Sequence, residues 1–432
     1  MEDKIKEMYT FYPYPEYDES MDKHIPIPCQ YSPFIFLEQI RHYLYNGYKN
    51  FDNFRVLVAG CGIGGDVISL GYLLKEYKNT EIFCIDLSQE SIEETKTRVE
   101  LYNLKNINIS EMSLLDLDKK KHGSFDFILS IGVLHHLCDP VKGLNILKSV
   151  LKEDGGMYLM VYGKIGRMGV YQMQDMLKII NKNTITWDGK IDNYKIVYDN
   201  LPKKNWFKRS EDIIVDHRAS DSGIVDLLLN VQDRAYTVRE LYKYINDVGM
   251  NIVEFSPCER YKYKNKILGL DYTQCGINQM DSYCINELYY GDICKHSFYI
   301  SKQRNTKALL TNLDNIMILN FIFKNELDQI IEYFHKNENL GNLTINGLKL
   351  RYKIPNTKYI WNFNKELIGL TFKITNNISY ILKNIDNNTS TIKIFDNLRS
   401  DLNVKYTNDY LLREFLPVYN LFELYDFILL RK

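Results

Sequence analysis

Between residues 54 and 162 the hydrophobic and polar positions follow a repeating scheme. Arg55-Val56-Leu57-Val58-Ala59 is a short apolar run ending in glycines, a helix-like stretch covers Asp66 to Lys78, and Glu81-Ile82-Phe83-Cys84-Ile85-Asp86 is a second run. Short apolar runs bounded by turn residues predict buried strands, so the order reads strand, helix, strand. Ser88-Gln89-Glu90-Ser91 has the polar start of a helix that extends to Tyr102. Ile107-Asn108-Ile109-Ser110 and Phe125 to Ser130 follow as strands, Val141 to Leu151 as a helix, Glu153-Asp154-Gly155-Gly156 as a turn and Met157 to Tyr162 as a fifth strand. Thr237-Val238-Arg239-Glu240 opens a helix to Val248, Gly249 ends it, and Asn251 to Phe255 and His296 to Ile300 supply two more strands. Strands alternating with helices predict an α/β fold, a doubly wound, mostly parallel seven-stranded sheet covered on both faces.

Two stretches break the alternation. Gly163 to Tyr236 is less periodic and rich in Gly, Asp, Tyr and Arg, as expected of an insertion above the sheet that shapes a pocket. Beyond the polar connector Ser301 to Lys307 the composition turns to Asn, Leu, Ile and Lys. An amphipathic helix is predicted at Lys324 to Lys336, with β-like runs at Gly347 to Ile354 and Thr391 to Phe395. The expected organisation is an N-terminal lid or helical segment at 1–49, a main domain at 50–303 with its insertion at about 163–236, and a smaller α+β domain at 304–432. A chain of 432 residues is long enough for such units at ~100–200 residues per domain.

Charge narrows the possible partners. The formal net charge is −1 and no long Lys or Arg run occurs, so no field attracts a nucleic-acid backbone and no nucleic-acid partner is expected. The charged start Met1 to Glu7 and the lack of any ~18-residue apolar run predict a cytoplasmic chain without a membrane partner. Eight cysteines occur, never as C-x-x-C; Cys61, Cys84 and Cys138 fall in predicted core elements. Cys275, Cys284, Cys294 and His296 lack the spacing of a zinc finger or ribbon, so reduced structural thiols and no metal are expected.

Gly60-Cys61-Gly62-Ile63-Gly64-Gly65 lies between a predicted strand and a helix, where the backbone turns sharply and bare N–H groups meet a ligand. Read as G-x-G-x-x-G it is a dinucleotide fingerprint; read as G-x-G-x-G it is a methyltransferase cofactor loop. Asp86, at the end of the second strand, suits the ribose of either. The run Gly123-Ser124-Phe125-Asp126-Phe127-Ile128-Leu129-Ser130-Ile131-Gly132-Val133-Leu134-His135-His136-Leu137-Cys138-Asp139-Pro140 resembles the fourth-strand signature of class I S-adenosylmethionine-dependent methyltransferases. Leu147 to Leu159, with Glu153-Asp154-Gly155-Gly156 at its centre, resembles their next helix, turn and strand. The likeness covers about 54 to 162, and more loosely to about 303 through Tyr162 to Tyr171 and Asp233 to Val238, which look like a bacterial branch of that family.

The resemblance implies S-adenosylmethionine as cofactor. Gly60, Cys61, Gly62 and Gly64 would surround its methionine part, Asp86 would accept from the ribose, and Leu87 would lie against adenine. Ser113 and Leu114 would meet the adenine edge, and Ser130 to Val133, including Gly132, would pass beneath the sulfonium. This chain departs from the family at Val58, where an acid is frequent, and near Ser113, where an Asp is frequent.

Methyl transfer is an in-line displacement, so alignment of acceptor and methyl supplies much of the rate and a base is optional. His135, His136 and His217 are the candidate bases, since an unperturbed imidazole titrates near neutral pH. Arg167 and Arg234 can bind an acceptor carboxylate or phosphate by a fork-like contact, and Tyr162 lies in the adjoining turn. Tyr9-Thr10-Phe11-Tyr12-Pro13-Tyr14-Pro15 can close as a lid, with Tyr12 and Tyr14 facing the acceptor. The expected function is methylation of a small molecule or a peptide side chain. The alternatives are an NAD-dependent oxidoreductase, which the glycine loop permits, and a non-catalytic methyltransferase-like binding scaffold.

Overall fold

A computed structural model describes residues 2–14, 36–256, 258–262, 266–267, 270–271, 275–320, 324, 327–329, 331–332, 343–353 and 360–432. They divide into two compact units: the described residues of Met1–Gln30, Asn50–Ser256 and Arg260–Arg304, and those of Tyr31–Lys49, Pro257–Glu259 and Asn305–Lys432.

The first unit opens with α1 (Glu2–Phe11) and is built on β1 (Arg55–Ala59), β2 (Glu81–Asp86), β3 (Ile107–Glu111), β4 (Phe125–Ile131), β5 (Leu151–Tyr162), β6 (Asn251–Phe255) and β7 (Lys295–Ser301). They form one seven-stranded sheet in the order β3-β2-β1-β4-β5-β7-β6. The first five strands pair in parallel, and β7 runs antiparallel between β5 and β6. β1 is central: Leu57 is in register with Phe83 on one side and Ile128 on the other. A strand covered on both faces must be apolar throughout, which is why Val56 to Ala59 and nearly all of β4 are buried.

The layers over the sheet are α3 (Gly65–Leu74), α4 (Gln89–Leu101), α5 (Pro140–Val150), α9 (Val238–Asp247) and α10 (Gln279–Tyr290), the labels α6 to α8 falling in the insertion. Their starts follow local chemistry. Ser88 accepts from the Ser91 amide, Asp139 from the Lys142 amide ahead of Pro140, and Thr237 with Glu240 closes a capping box. Strand order reverses between β1 and β4, and a ligand crevice lies beyond the carboxyl ends of strands at such a point.

Three boundaries differ from the sequence reading. The helix expected to reach Lys78 stops at Leu74. Residues 151–156, expected as helix end and turn, already belong to β5, whose register to β4 shifts between Phe125 and Phe127 to take up the extra residues. Thr391 to Phe395, expected as β-like, begins helix α12 (Thr391–Asp401). Its buried residues Thr391, Ile394, Phe395 and Leu398 follow a helical spacing that outweighs their branched and aromatic character.

The insertion is helical. It comprises α6 (Met168–Ile180), α7 (Trp187–Asp199), a short turn at Trp206–Arg209 and α8 (Asp221–Leu228). Val170, Met173, Leu177, Ile191, Tyr194, Phe207, Ile224 and Leu228 form its own core, which Met8 of α1 completes. Chain exit and return lie side by side. The Tyr236 amide donates to the Tyr162 carbonyl (2.9 Å), the Lys164 amide to the Tyr236 carbonyl (2.9 Å), and Gly163 bridges Tyr236.

The second unit is α+β. It contains α2 (Phe36–Leu44), β8 (Ile316–Leu319), β9 (Leu343–Lys353), β10 (Ile360–Phe372), α11 (Asn376–Lys383), α12, α13 (Asn408–Glu423) and β11 (Ile428–Arg431). β8 pairs antiparallel with β11, and β9 with β10. α2 packs on β11, where buried His42 accepts from the Leu430 amide at Nδ1 and reaches Glu423 through Nε2 (3.1 Å each). The expected segment 1–49 is therefore split, α1 lying in the first unit and α2 in the second. Of the helix expected at Lys324 to Lys336, helical residues are described at 324, 327–329 and 331–332, and the remainder lies outside the described residues, as does Ile354.

Candidate active site

The loop after β1 is shaped by three left-handed glycines, Gly60 (φ 82°), Gly62 (φ 49°) and Gly64 (φ 81°). A Cβ at Gly60 would fall 2.1 Å from Val133 Cγ2, so no other residue fits there. At Gly62 the situation is reversed: a Cβ would meet nothing within 4 Å, and the backbone turns a bare surface to open space.

The loop is held from below and behind. The Gly60 and Cys61 amides donate to the Ile85 carbonyl (2.9 and 3.0 Å), and the Gly62 amide to Asp86 Oδ2 (2.8 Å). From α4, Thr95 Oγ1 donates to the Gly62 carbonyl (2.9 Å) and buried Arg98 to the Ile63 carbonyl (2.5 Å). Ser130 on β4 donates to the Ala59 carbonyl (3.1 Å). Asp86 takes a further bond from the Ser88 amide at Oδ1 (3.0 Å). Burial pushes its carboxyl up, while the Ser88 and Gly62 amides pull it back.

The remaining residues expected at the cofactor are Cys61, Leu87, Ser113, Leu114 and Gly132. The Cys61 side chain turns inward, where the Cys84 thiol and burial push its own thiol well up, so only its backbone faces the loop. Ser113 Oγ accepts from the Leu115 amide (3.1 Å) as a helix cap. Leu114 is buried in the sheet core, so its side chain is not offered to a ligand. Leu87 follows Asp86 half-buried, and Gly132 (φ 76°) donates its amide to the Met160 carbonyl (3.1 Å).

Beyond β4 and β5 a second group converges on the Tyr162 ring. His135, with 0% exposure, lies 3.9 Å from it between centroids, and the Arg167 guanidinium sits 3.6 Å over it. His136 packs 4.2 Å from His135. The His136 Nδ1 faces the Gln232 carbonyl at 2.7 Å; a carbonyl only accepts, so Nδ1 carries a proton and donates it there, and Nε2 lies 3.5 Å from the Tyr9 hydroxyl. Tyr9 donates to Asp226 Oδ1 (2.7 Å), and Tyr162 to Asp226 Oδ2 (3.4 Å). Asp233 lies 4.0 Å from Arg167 and accepts from Gln174 (3.1 Å). Tyr14 donates to Asp216 (3.0 Å).

This group leaves several polar atoms without hydrogen bonds. Both ring nitrogens of His135, Nε and Nη2 of Arg167 and the Tyr171 hydroxyl are buried without a hydrogen-bond partner. A buried polar atom met by no protein group, water or ligand costs about 1–3 kcal/mol, so these atoms call for a water or a ligand. Burial, with His136 and Arg167 nearby, holds the His135 imidazole well below its usual range. Burial likewise pushes the Asp226 carboxyl up.

Three of the expected residues are placed elsewhere. His217 is packed among Tyr194, Tyr198 and Phe207 in the insertion, and its preceding Asp216 is bonded to Tyr14 instead of orienting the imidazole. Tyr12 donates to Asp188 at the start of α7 (3.2 Å). Arg234 is exposed and lies over Tyr236 (4.9 Å). Conversely, Asp226, Asp233, Tyr171 and Gln174 belong to the cluster without having been expected there. Asp226 had a readable signal: it is a carboxylate inside the apolar run Gly223-Ile224-Val225-Asp226-Leu227-Leu228 of a helix buried from Ser222 onward.

Residues 50–201 match a family model described as a methyltransferase domain. An uncharacterised protein of Synechococcus is 29% identical over 213 residues, 48% of this chain and 50% of that protein. A ubiquinone biosynthesis O-methyltransferase of Neisseria meningitidis is 23% identical over 145 residues, 33% of this chain and 59% of the relative. The chain spans about half the length, or less, of the first curated relatives it matches. Among solved structures, PKMT2 from Rickettsia typhi shares the fold at TM-score 0.61 and 17% identity, covering 93% of this chain and 75% of that one. The same protein has been solved in complex with AdoHcy, at TM-score 0.61 and 16% identity over 93% of this chain and 76% of that one. Among the described residues no helix is long and apolar enough to cross a membrane. Residues 50–201 thus match a methyltransferase domain, and they lie on a sheet of the Rossmann-like methyltransferase fold.

Proposed function

We propose that the whole chain transfers the methyl group of S-adenosylmethionine to a small-molecule or peptide side-chain acceptor. The observation that carries this reading is the glycine loop: Gly62 presents bare, left-handed backbone to open space while its amide is tied to Asp86. The AdoHcy bound by the Rickettsia typhi protein and the O-methyltransferase name of the Neisseria relative support it. When bound, S-adenosylmethionine supplies an electrophilic methyl group, and the protein's task is alignment and exclusion of water.

In this reading Gly60, Gly62, Gly64 and the Cys61 backbone line the methionine part. Asp86 accepts from the ribose, Leu87 lies against adenine, and Ser113 with the Leu114 backbone borders its edge. Ser130 and Gly132 close the floor. On the acceptor side Tyr162 and Arg167 position the acceptor, and neutral His136 takes any proton it releases at Nε2, because the Gln232 contact holds the ring's own proton on Nδ1. Tyr9 shields that nitrogen from water. His135 stays neutral and serves as a hydrogen-bonding wall, while His217, Tyr12 and Arg234 have no part in the chemistry. Calorimetry with S-adenosylmethionine, its demethylated product and NAD tests the reading. The expected result is binding of the first two and weak binding of NAD; tight NAD binding without S-adenosylmethionine binding overturns it.

A further inference from the structure

The unsatisfied atoms around Tyr162 have a chemical bias. The carboxylates of the cluster are all engaged: Asp226 by Tyr9 and Tyr162, Asp216 by Tyr14, and Asp233 by Gln174. What is left without a hydrogen bond is mainly donors: the Nε–H of Arg167 and its Nη2–H, which faces Asp233 Oδ2 at 4.0 Å, with one N–H of His135 and the Tyr171 hydroxyl. Nε and Nη2 lie on one edge of a planar guanidinium, and that edge matches two coplanar oxygens. Arg167 is only 5% exposed, and the Tyr162 ring under its face fixes its plane.

We propose that the methyl acceptor carries a carboxylate, which Arg167 binds edge-on through Nε and Nη2; this rests on the methyltransferase reading above. The carboxylate is the handle, and the methylated atom lies elsewhere on the acceptor, toward the glycine loop. Asp233, 4.0 Å from Arg167, selects against a dianion. One negative charge is tolerated beside Asp233, and two, as on a phosphate monoester, are not. Donors without acceptors recognise an anion, which brings the acceptors they lack, whereas an amine brings only more donors.

The test uses full-length protein saturated with S-adenosylhomocysteine and titrated by calorimetry with benzoate, benzamide, benzylamine and phenyl phosphate. Benzoate is expected to bind at least tenfold tighter than the other three. Arg167→Lys, which keeps the charge and loses the planar edge, is expected to weaken benzoate at least tenfold, and Arg167→Gln to weaken it further, both with S-adenosylhomocysteine affinity within threefold of wild type. Benzoate binding no tighter than benzamide, benzylamine or phenyl phosphate overturns the proposal, as does benzoate binding unaffected in Arg167→Lys. If wild-type protein fails to bind S-adenosylhomocysteine at all, the methyltransferase reading falls first and takes this one with it, so the two failures are distinguishable.

Discussion

The glycine loop and the cluster around Tyr162 lie beyond the ends of neighbouring strands of one sheet, yet they are built on opposite principles. The loop is backbone: its shape comes from left-handed glycines, and its carbonyls are tied down by Thr95, Arg98 and Ser130. The cluster is side chain. It draws on residues as distant in sequence as Tyr9, His135, Arg167 and Asp226, and it leaves five buried polar atoms without partners. A rigid, satisfied cradle suits a ligand that never changes. A cluster with donors to spare suits one that must arrive and supply the missing acceptors.

That contrast can be broken most forcefully at Gly62. Gly62→Arg places a long side chain where the backbone is bare, and S-adenosylmethionine binding is expected to be lost altogether in calorimetry; a Cβ there meets no neighbour, so the fold takes on the strain of the left-handed φ (49°) without a clash, and circular dichroism checks that it persists. Normal binding by this variant would mean that the loop is not the cradle.

The next effect separates the two regions. His136→Ala is expected to reduce turnover about 100-fold through loss of a proton acceptor, with cofactor affinity within a few-fold. Asp86→Ala is expected to do the opposite, weakening the cofactor by roughly 1–3 kcal/mol for a lost buried partner. Titrations and rate measurements on both variants decide it, and a shared phenotype would erase the distinction between cradle and cluster.

The smallest effect is a pH dependence of stability. His135 is neutral when folded and titrates near its usual ~6.5 when unfolded, so below that pH the unfolded state takes up a proton that the folded state refuses. Its contribution is therefore full above ~6.5 and is lost as pH falls, by at most about 1.4 kcal/mol per pH unit. His135→Phe should flatten the decline of the urea midpoint between pH 7 and pH 5; an unchanged slope would show that the imidazole is not held neutral.

The same contrast explains what could be read from the residues alone. The cradle was legible because its parts are local: strand, glycines, helix start and the acid ending the next strand follow one another within residues 55 to 88. The seven strands were legible for the same reason, each being a short apolar run with its own turn signals. The cluster was only half legible. His135, His136, Tyr162 and Arg167 flank strand ends and could be placed from the topology, but Asp226 and Asp233 enter through the packing of the helical insertion, which no local period encodes. His217 misled because sequence adjacency to Asp216 says nothing about where the ring turns; the insertion's aromatic core claimed it. Thr391 to Phe395 misled because branched residues suggested a strand where the spacing of buried positions was helical.

One further consequence follows from how the insertion is joined to the sheet. Tyr162 and Tyr236 are hydrogen-bonded neighbours, so the chain leaves and re-enters the domain through the same doorway. The loop-closure cost of an excursion with its ends already together grows only slowly with its length, by about 0.6 kcal/mol per doubling. Between those posts the helical insertion that carries Asp226 and Asp233 can change in length at little cost to the sheet that carries the glycine loop. The fold thereby uncouples its two regions, the glycine loop resting on the sheet and the cluster's carboxylates on a single cassette hung from it.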